Sequence, residues 1–200
     1  MTKFSIRAIS AAVALAAMSA SMTTHAESTV QNGAGALSAS ARLDFRVTIP
    51  KVLFLQVGTG TPLATNPNIN LIDFVVPAAN VGDGSVIAAT AASGDLGNGS
   101  VTARVLGNNG DVTLTSTTVG ALGNGAGDTL SFGLISTTPS VLTSGTALAA
   151  PALADGATTS TTVPATGRIV NRDARWTFSF LNTAVVPPGT YGGVNANNSR

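Results

Sequence analysis

Apolar and polar residues alternate most regularly in residues 42–49, where Leu43, Phe45, Val47 and Ile49 are interleaved with Arg42, Asp44, Arg46 and Thr48. A period of two puts the two sets on opposite faces of an extended chain, so this stretch is predicted to be a strand with one face buried and one wet. Pro50 interrupts the ladder because it has no N–H to donate, and residues 52–57 resume as a more continuously apolar segment before the turn Gly58-Thr59-Gly60. Further β-rich runs are predicted over residues 69–76, 85–90, 100–106, 111–119 and 129–136. Glycine, asparagine and aspartate fill the joints between them, at residues 82–84, 94–99, 107–110 and 123–127, and supply the backbone freedom that hairpin turns demand.

The pattern loosens over residues 137–166 into Ala, Thr, Ser and Pro with Asp155 as the one charge, which predicts a long surface excursion carrying a short Ala-rich helix near residues 146–154. Alternation returns at residues 174–181. Trp176, Phe178 and Phe180 share one face and Arg175, Thr177 and Ser179 the other, so this strand is expected to anchor the core. After it, Pro187-Pro188-Gly189 makes a bend, Tyr191 is placed at the start of a further strand, and residues 195–200 are polar. With so little chain left to close the sheet, an open edge is expected beside the Trp176 strand.

The N-terminus changes the compartment. Lys3 and Arg7 precede an apolar run over residues 8–18, and Thr24-His25-Ala26 fits a cleavage site, so residues 1–26 read as a secretory signal peptide. The apolar run is too short for a membrane span, and no transmembrane span is expected in the mature chain. Residues 27–41 then form a flexible N-terminal extension and residues 42–200 one domain. Ten basic groups become eight when Lys3 and Arg7 leave, against nine acidic ones, so the mature chain is nearly neutral. That balance carries no footprint for nucleic acid. Charged residues make up 10% of the chain against 44% hydrophobic, and a surface so poor in charge repels copies of itself weakly.

Candidate chemistry is sparse. The chain has no cysteine, and its single histidine, His25, falls in the expected signal peptide, so neither thiol nor imidazole is left as nucleophile, base or metal ligand. Lys51 is the one lysine beyond residue 26 and stands at the start of an apolar run without a serine motif. Asp83, Asp95, Asp111 and Asp128 each neighbour glycine or asparagine, where a carboxylate caps the backbone of its own turn, and no calcium-loop spacing joins them. No catalytic residue, metal site or cofactor is expected. Arg168, Arg172 and Arg175 beside Trp176 are the candidate ligand or partner surface, arginine with an aromatic being suited to sugars or anions.

The export signal, the strand pattern, the Thr/Ala/Gly/Ser-rich surface and the late run Pro187-Pro188-Gly189-Thr190-Tyr191 together resemble bacterial fimbrial and spore-coat-type secreted subunits. The expected fold is all-β: a single antiparallel β-sandwich of immunoglobulin-like or pilin-like kind. The resemblance implies a non-enzymatic structural or adhesion subunit, in the periplasm, on the cell surface or outside the cell, with a homo-oligomer or surface assembly as its partner. The alternative is a carbohydrate- or ligand-binding β-sandwich module.

Overall fold

A computed structural model describes residues 27–193 of the chain; the expected signal peptide and the polar segment at residues 195–200 lie outside the described residues. The chain divides into two compact units between Ile49 and Pro50. In the first, residues 27–49 form neither strand nor helix, and the Glu27 carboxylate accepts from the Arg42 guanidinium at 2.8 Å. The expected strand over residues 42–49 is therefore a correction. Its alternation is real, but an extended chain becomes a strand only when a neighbour takes its N–H and C=O groups, and among the described residues none does.

The second unit is all-β. In chain order its strands are β1 (Leu53–Val57), β2 (Val86–Ala88), β3 (Ser100–Gly107), β4 (Val112–Thr117), β5 (Leu122–Gly123), β6 (Thr129–Leu130), β7 (Ile135–Ser140), β8 (Thr158–Val163) and β9 (Val170–Leu181). Every pairing is antiparallel. β9 is the longest because no glycine or proline interrupts it, and it organises the main sheet. β3 pairs with its first part and β2 with its end, β1 adds outside β3, and β7 pairs with it as well. β4 and β8 form a separate two-stranded ribbon, as do β5 and β6.

The β8–β9 connection turns through Gly167 and Arg168, both at positive φ, the pair of conformations a two-residue type I′ loop requires. Thr166 and Ile169 exchange both backbone hydrogen bonds across it. The β3–β4 connection reverses nearby, and the Gly110 N–H donates to the Arg168 carbonyl. These two connections carry the chain from the main sheet into the β4–β8 ribbon. Val101, Ala103 and Val105 of β3 and Val170, Ala174 and Trp176 of β9 share one sheet face, and they bury against Leu114 of β4, Val163 of β8 and Leu148. The 3.6-fold spacing of a helix appears nowhere in this cluster; the apolar residues recur at every second position.

Further expectations are corrected here. The region read as an excursion over residues 137–166 holds most of β7 and all of β8, because Thr and Ser suit a half-wet pleated surface and need not be loop. The Ala-rich helix near residues 146–154 is irregular chain, since Pro151 and the backbone bond from Leu148 N–H to the Asp173 carbonyl hold it against β9. The open edge beside Trp176 is closed on both sides, by Val101 of β3 and by Pro139 of β7. The strand that closes it comes from the supposed excursion and tolerates Pro139 because it is an edge strand. Residues 69–76 run extended without joining a sheet, and Tyr191 lies outside any strand, its hydroxyl donating to the Pro187 carbonyl at 2.7 Å.

Candidate functional site

The three arginines of the candidate ligand surface do not converge. Arg168 is consumed by the β8–β9 turn, where its left-handed backbone sets its direction. Arg172 stands opposite Val105 and Arg175 opposite Thr102. Those positions differ by an odd number along one strand, so the two side chains leave opposite faces of the sheet. The strand expected over residues 174–181 takes in Arg175 but stops short of Arg172, so the parity that separates the two emerges only with β9 beginning at Val170, and Arg168 falls in the two-residue loop before it.

The aspartates behave as turn and loop anchors. The Asp83 carboxylate accepts from Ser85 N at 2.8 Å and from the Asn80 amide at 2.7 Å, and hydrogen bonds from Ser85, then Asn80, hold it below its ordinary pKa. Asp95 accepts from Thr102 N at 2.9 Å, Asp111 from Ala165 N at 2.8 Å, and Asp128 from the Asn124 amide at 2.8 Å. Among the described residues no three His, Cys, Asp or Glu side chains are grouped to hold a metal ion.

Asp173 was not singled out by any motif, yet it is the most heavily bonded side chain of the main sheet. Its carboxylate accepts from Thr143 N at 2.9 Å, from Ser144 N at 2.7 Å and from the Thr143 hydroxyl, and the Arg104 guanidinium lies 3.6 Å away. Burial by itself would raise its pKa; the hydrogen bonds from Thr143 and Ser144 outweigh burial and hold the carboxyl well below the usual carboxylate range. Beside it a hollow of about 310 Å³ is lined by Phe54, Leu63, Arg104, Leu106 and Asn171. Both charges at this hollow already face each other, so the arrangement ties the segment after β7 onto β9 and leaves no free charge aimed at a ligand.

What the surface does offer is apolar. Leu43, Phe45, Val47 and Ile49 are 73%, 86%, 82% and 77% exposed. Leu53, Leu55 and Val57 of β1 are 69%, 54% and 50% exposed. Through the β1–β3 register, Leu55 lies beside Val105 and Val57 beside Ala103, so the β1 stripe continues the core-facing side of the main sheet past the reach of the β4–β8 ribbon. Contiguous exposed apolar stretches mark contact surfaces more often than single exposed side chains do. β1 is also an edge strand with β3 on one side only. No protein-family description, no curated protein and no solved structure matches this chain, so the residues of its edge and its exposed alternating segment are what speak for its function.

Proposed function

We propose that this chain is an exported, non-enzymatic structural subunit of fimbrial-like kind that assembles through its own apolar surface. The observation that carries the reading is the run of exposed apolar side chains on alternate positions from Leu43 to Val57, broken only by Lys51, on a chain with 10% charged residues. Such a stretch exposed to water costs free energy that burial against a partner recovers, at about 25 cal/mol for each Å² covered. In this reading the main sheet and the β4–β8 ribbon are the two layers of a β-sandwich whose second layer is short, and the β1 side is where assembly completes it. The signal peptide expected over residues 1–26 supports export, to the periplasm, the cell surface or outside the cell.

The carbohydrate-binding alternative built on Arg168, Arg172 and Arg175 gains no support from side chains that leave the sheet in different directions. Light scattering on the purified chain over a hundredfold range of concentration tests assembly. Mass above that of one chain is expected, and a strict monomer at the highest concentration overturns the proposal.

A further inference from the structure

We infer that two copies exchange residues 42–49 across a two-fold axis at Pro50, each segment pairing antiparallel with the free edge of β1 in the other copy. This rests on the assembly reading above and names its partner, a second copy of the chain.

The acceptor is defined by backbone direction. The Val52 carbonyl accepts from Asn108 N at 3.3 Å, and Gly58 N donates to the Thr102 carbonyl at 2.7 Å. In an antiparallel ladder the bonding direction alternates along the strand, so the even-numbered residues between them face β3. Leu53, Leu55 and Val57 therefore turn their N–H and C=O groups to the open edge, where no backbone partner among the described residues meets them. Their side chains are the exposed apolar stripe. One added strand would satisfy those amides and cover those side chains together.

The donor must be extended, apolar at alternate positions and unbonded. Residues 69–75 fail, because the Leu71 carbonyl accepts from Gly94 N, the Asp73 carbonyl accepts from Thr90 N, and Asp73 N donates to the Ser93 hydroxyl. Residues 43–49 meet all three conditions. A hairpin onto the chain's own β1 would need a reversal within residues 50–52. That stretch carries no turn or bend, and the Asn108 side chain holds it in line with β1 by donating to the Pro50 carbonyl at 2.8 Å and accepting from Val52 N at 2.8 Å. The acceptor edge must then belong to another copy.

The register follows from matching the two patterns. Val47 opposes Leu53, Phe45 opposes Leu55 and Leu43 opposes Val57, while Ile49 opposes Lys51 and Pro50 faces its own copy on the axis. A slip of one residue sets the apolar positions against Arg46, Asp44 and Arg42. A slip of two in the direction that keeps all three β1 side chains covered places Lys51 opposite Lys51, and like charges directly opposed are destabilising. Pro50, an even position, sits where the ladder asks for no N–H, so it costs no bond and discourages a third strand. Because the contact is the same on both copies, it closes as a dimer.

The chain lacks cysteine, which makes single-cysteine cross-linking unambiguous. Opposed residues at a non-hydrogen-bonded antiparallel position have Cα atoms about 4.5 Å apart, within disulfide range. Pro50→Cys is expected to oxidise to a covalent dimer under mild oxidant, with Val75→Cys, exposed elsewhere, staying monomeric. Phe45→Lys is expected to abolish the dimer while circular dichroism and Trp176 fluorescence stay unchanged, since Phe45 is exposed in the single chain. Oligomers that survive Phe45→Lys, with no cross-link through Pro50→Cys, overturn this inference and leave assembly by another surface standing. Preferential cross-linking through Lys51→Cys overturns the register. A wild-type monomer at every concentration overturns inference and assembly reading alike.

Discussion

Asp173 shows how one residue can hold two segments that no motif connects. Its side chain fixes Thr143 and Ser144, and its own backbone carbonyl accepts from Leu148 N, so the chain leaving β7 is tied along the edge of β9. The carboxylate's native pKa is depressed, so its stabilising effect is complete above the ordinary value of 3.8 and is lost as pH falls below that value toward the lower native one. Asp173→Asn keeps the size but removes the charge that these donors and Arg104 face. It is expected to cost about 1.5–3 kcal/mol at neutral pH, and to flatten the loss of stability below pH 3.8, both read from urea unfolding at stepped pH. Gly94 is a second such position. Its φ is +77°, and a Cβ there would stand 2.1 Å from the Ser100 carbonyl oxygen, whereas Gly110 at φ +107° faces open space. Both Gly94→Ala and Gly110→Ala incur backbone strain, but only the first adds a clash with backbone. Thermal melts should therefore show Gly94→Ala destabilised by more than Gly110→Ala, and equal shifts would contradict the close approach.

At the scale of elements, the main sheet turns on β9 and on the strap that follows β7. Leu148 is buried within the core cluster, and its carbonyl accepts from Trp176 Nε1 at 2.7 Å, so the strap supplies both an apolar plug and the partner for the indole. Leu148→Ala is expected to cost about 2–5 kcal/mol, a core-sized loss from a residue outside every strand and helix. A loss below about 1 kcal/mol in denaturant midpoints would show the strap to be a surface loop after all. Sequence pattern located β3, β4 and β9 well, because their alternation is bounded by glycine-rich turns and is fulfilled by neighbours in the same chain. It failed at β7 and β8, whose Thr/Ser runs carry little hydrophobic signal, and at the strap, where Leu148 is buried by contacts far away in sequence. Residues 42–49 failed in the opposite sense. There the signal is strong, and no neighbour among the described residues satisfies it. The arginine surface was misread, because the alternation recognised from residue 174 onward stops short of Arg172 in the first part of β9, and nothing in the residues around Arg168 showed a two-residue loop.

For the whole molecule, the balance between one chain and two is set by apolar area with little electrostatic opposition. Ten basic and nine acidic groups lie among 200 residues, so repulsion between copies is weak and salt screening has little to remove. Assembly that covers Leu43, Phe45, Val47, Leu53, Leu55 and Val57 should thus persist at high sodium chloride and strengthen with sulfate, which drives apolar burial. Mass action then couples assembly to folding. If native copies associate and unfolded ones do not, a tenfold rise in protein concentration adds about 1.4 kcal/mol per dimer to the unfolding free energy. Divided by the unfolding entropy of two such chains, that raises the melting midpoint by about 2 °C. Scanning calorimetry of the wild type at several concentrations should show this rise. Phe45→Lys should hold one midpoint throughout, at the low-concentration limit of the wild type, because the substituted side chain is already exposed in the single chain and only its role between copies is lost. A midpoint that falls in Phe45→Lys below that limit would instead place Phe45 inside the fold of one chain, and the exposed alternating segment would then belong to the domain's own core.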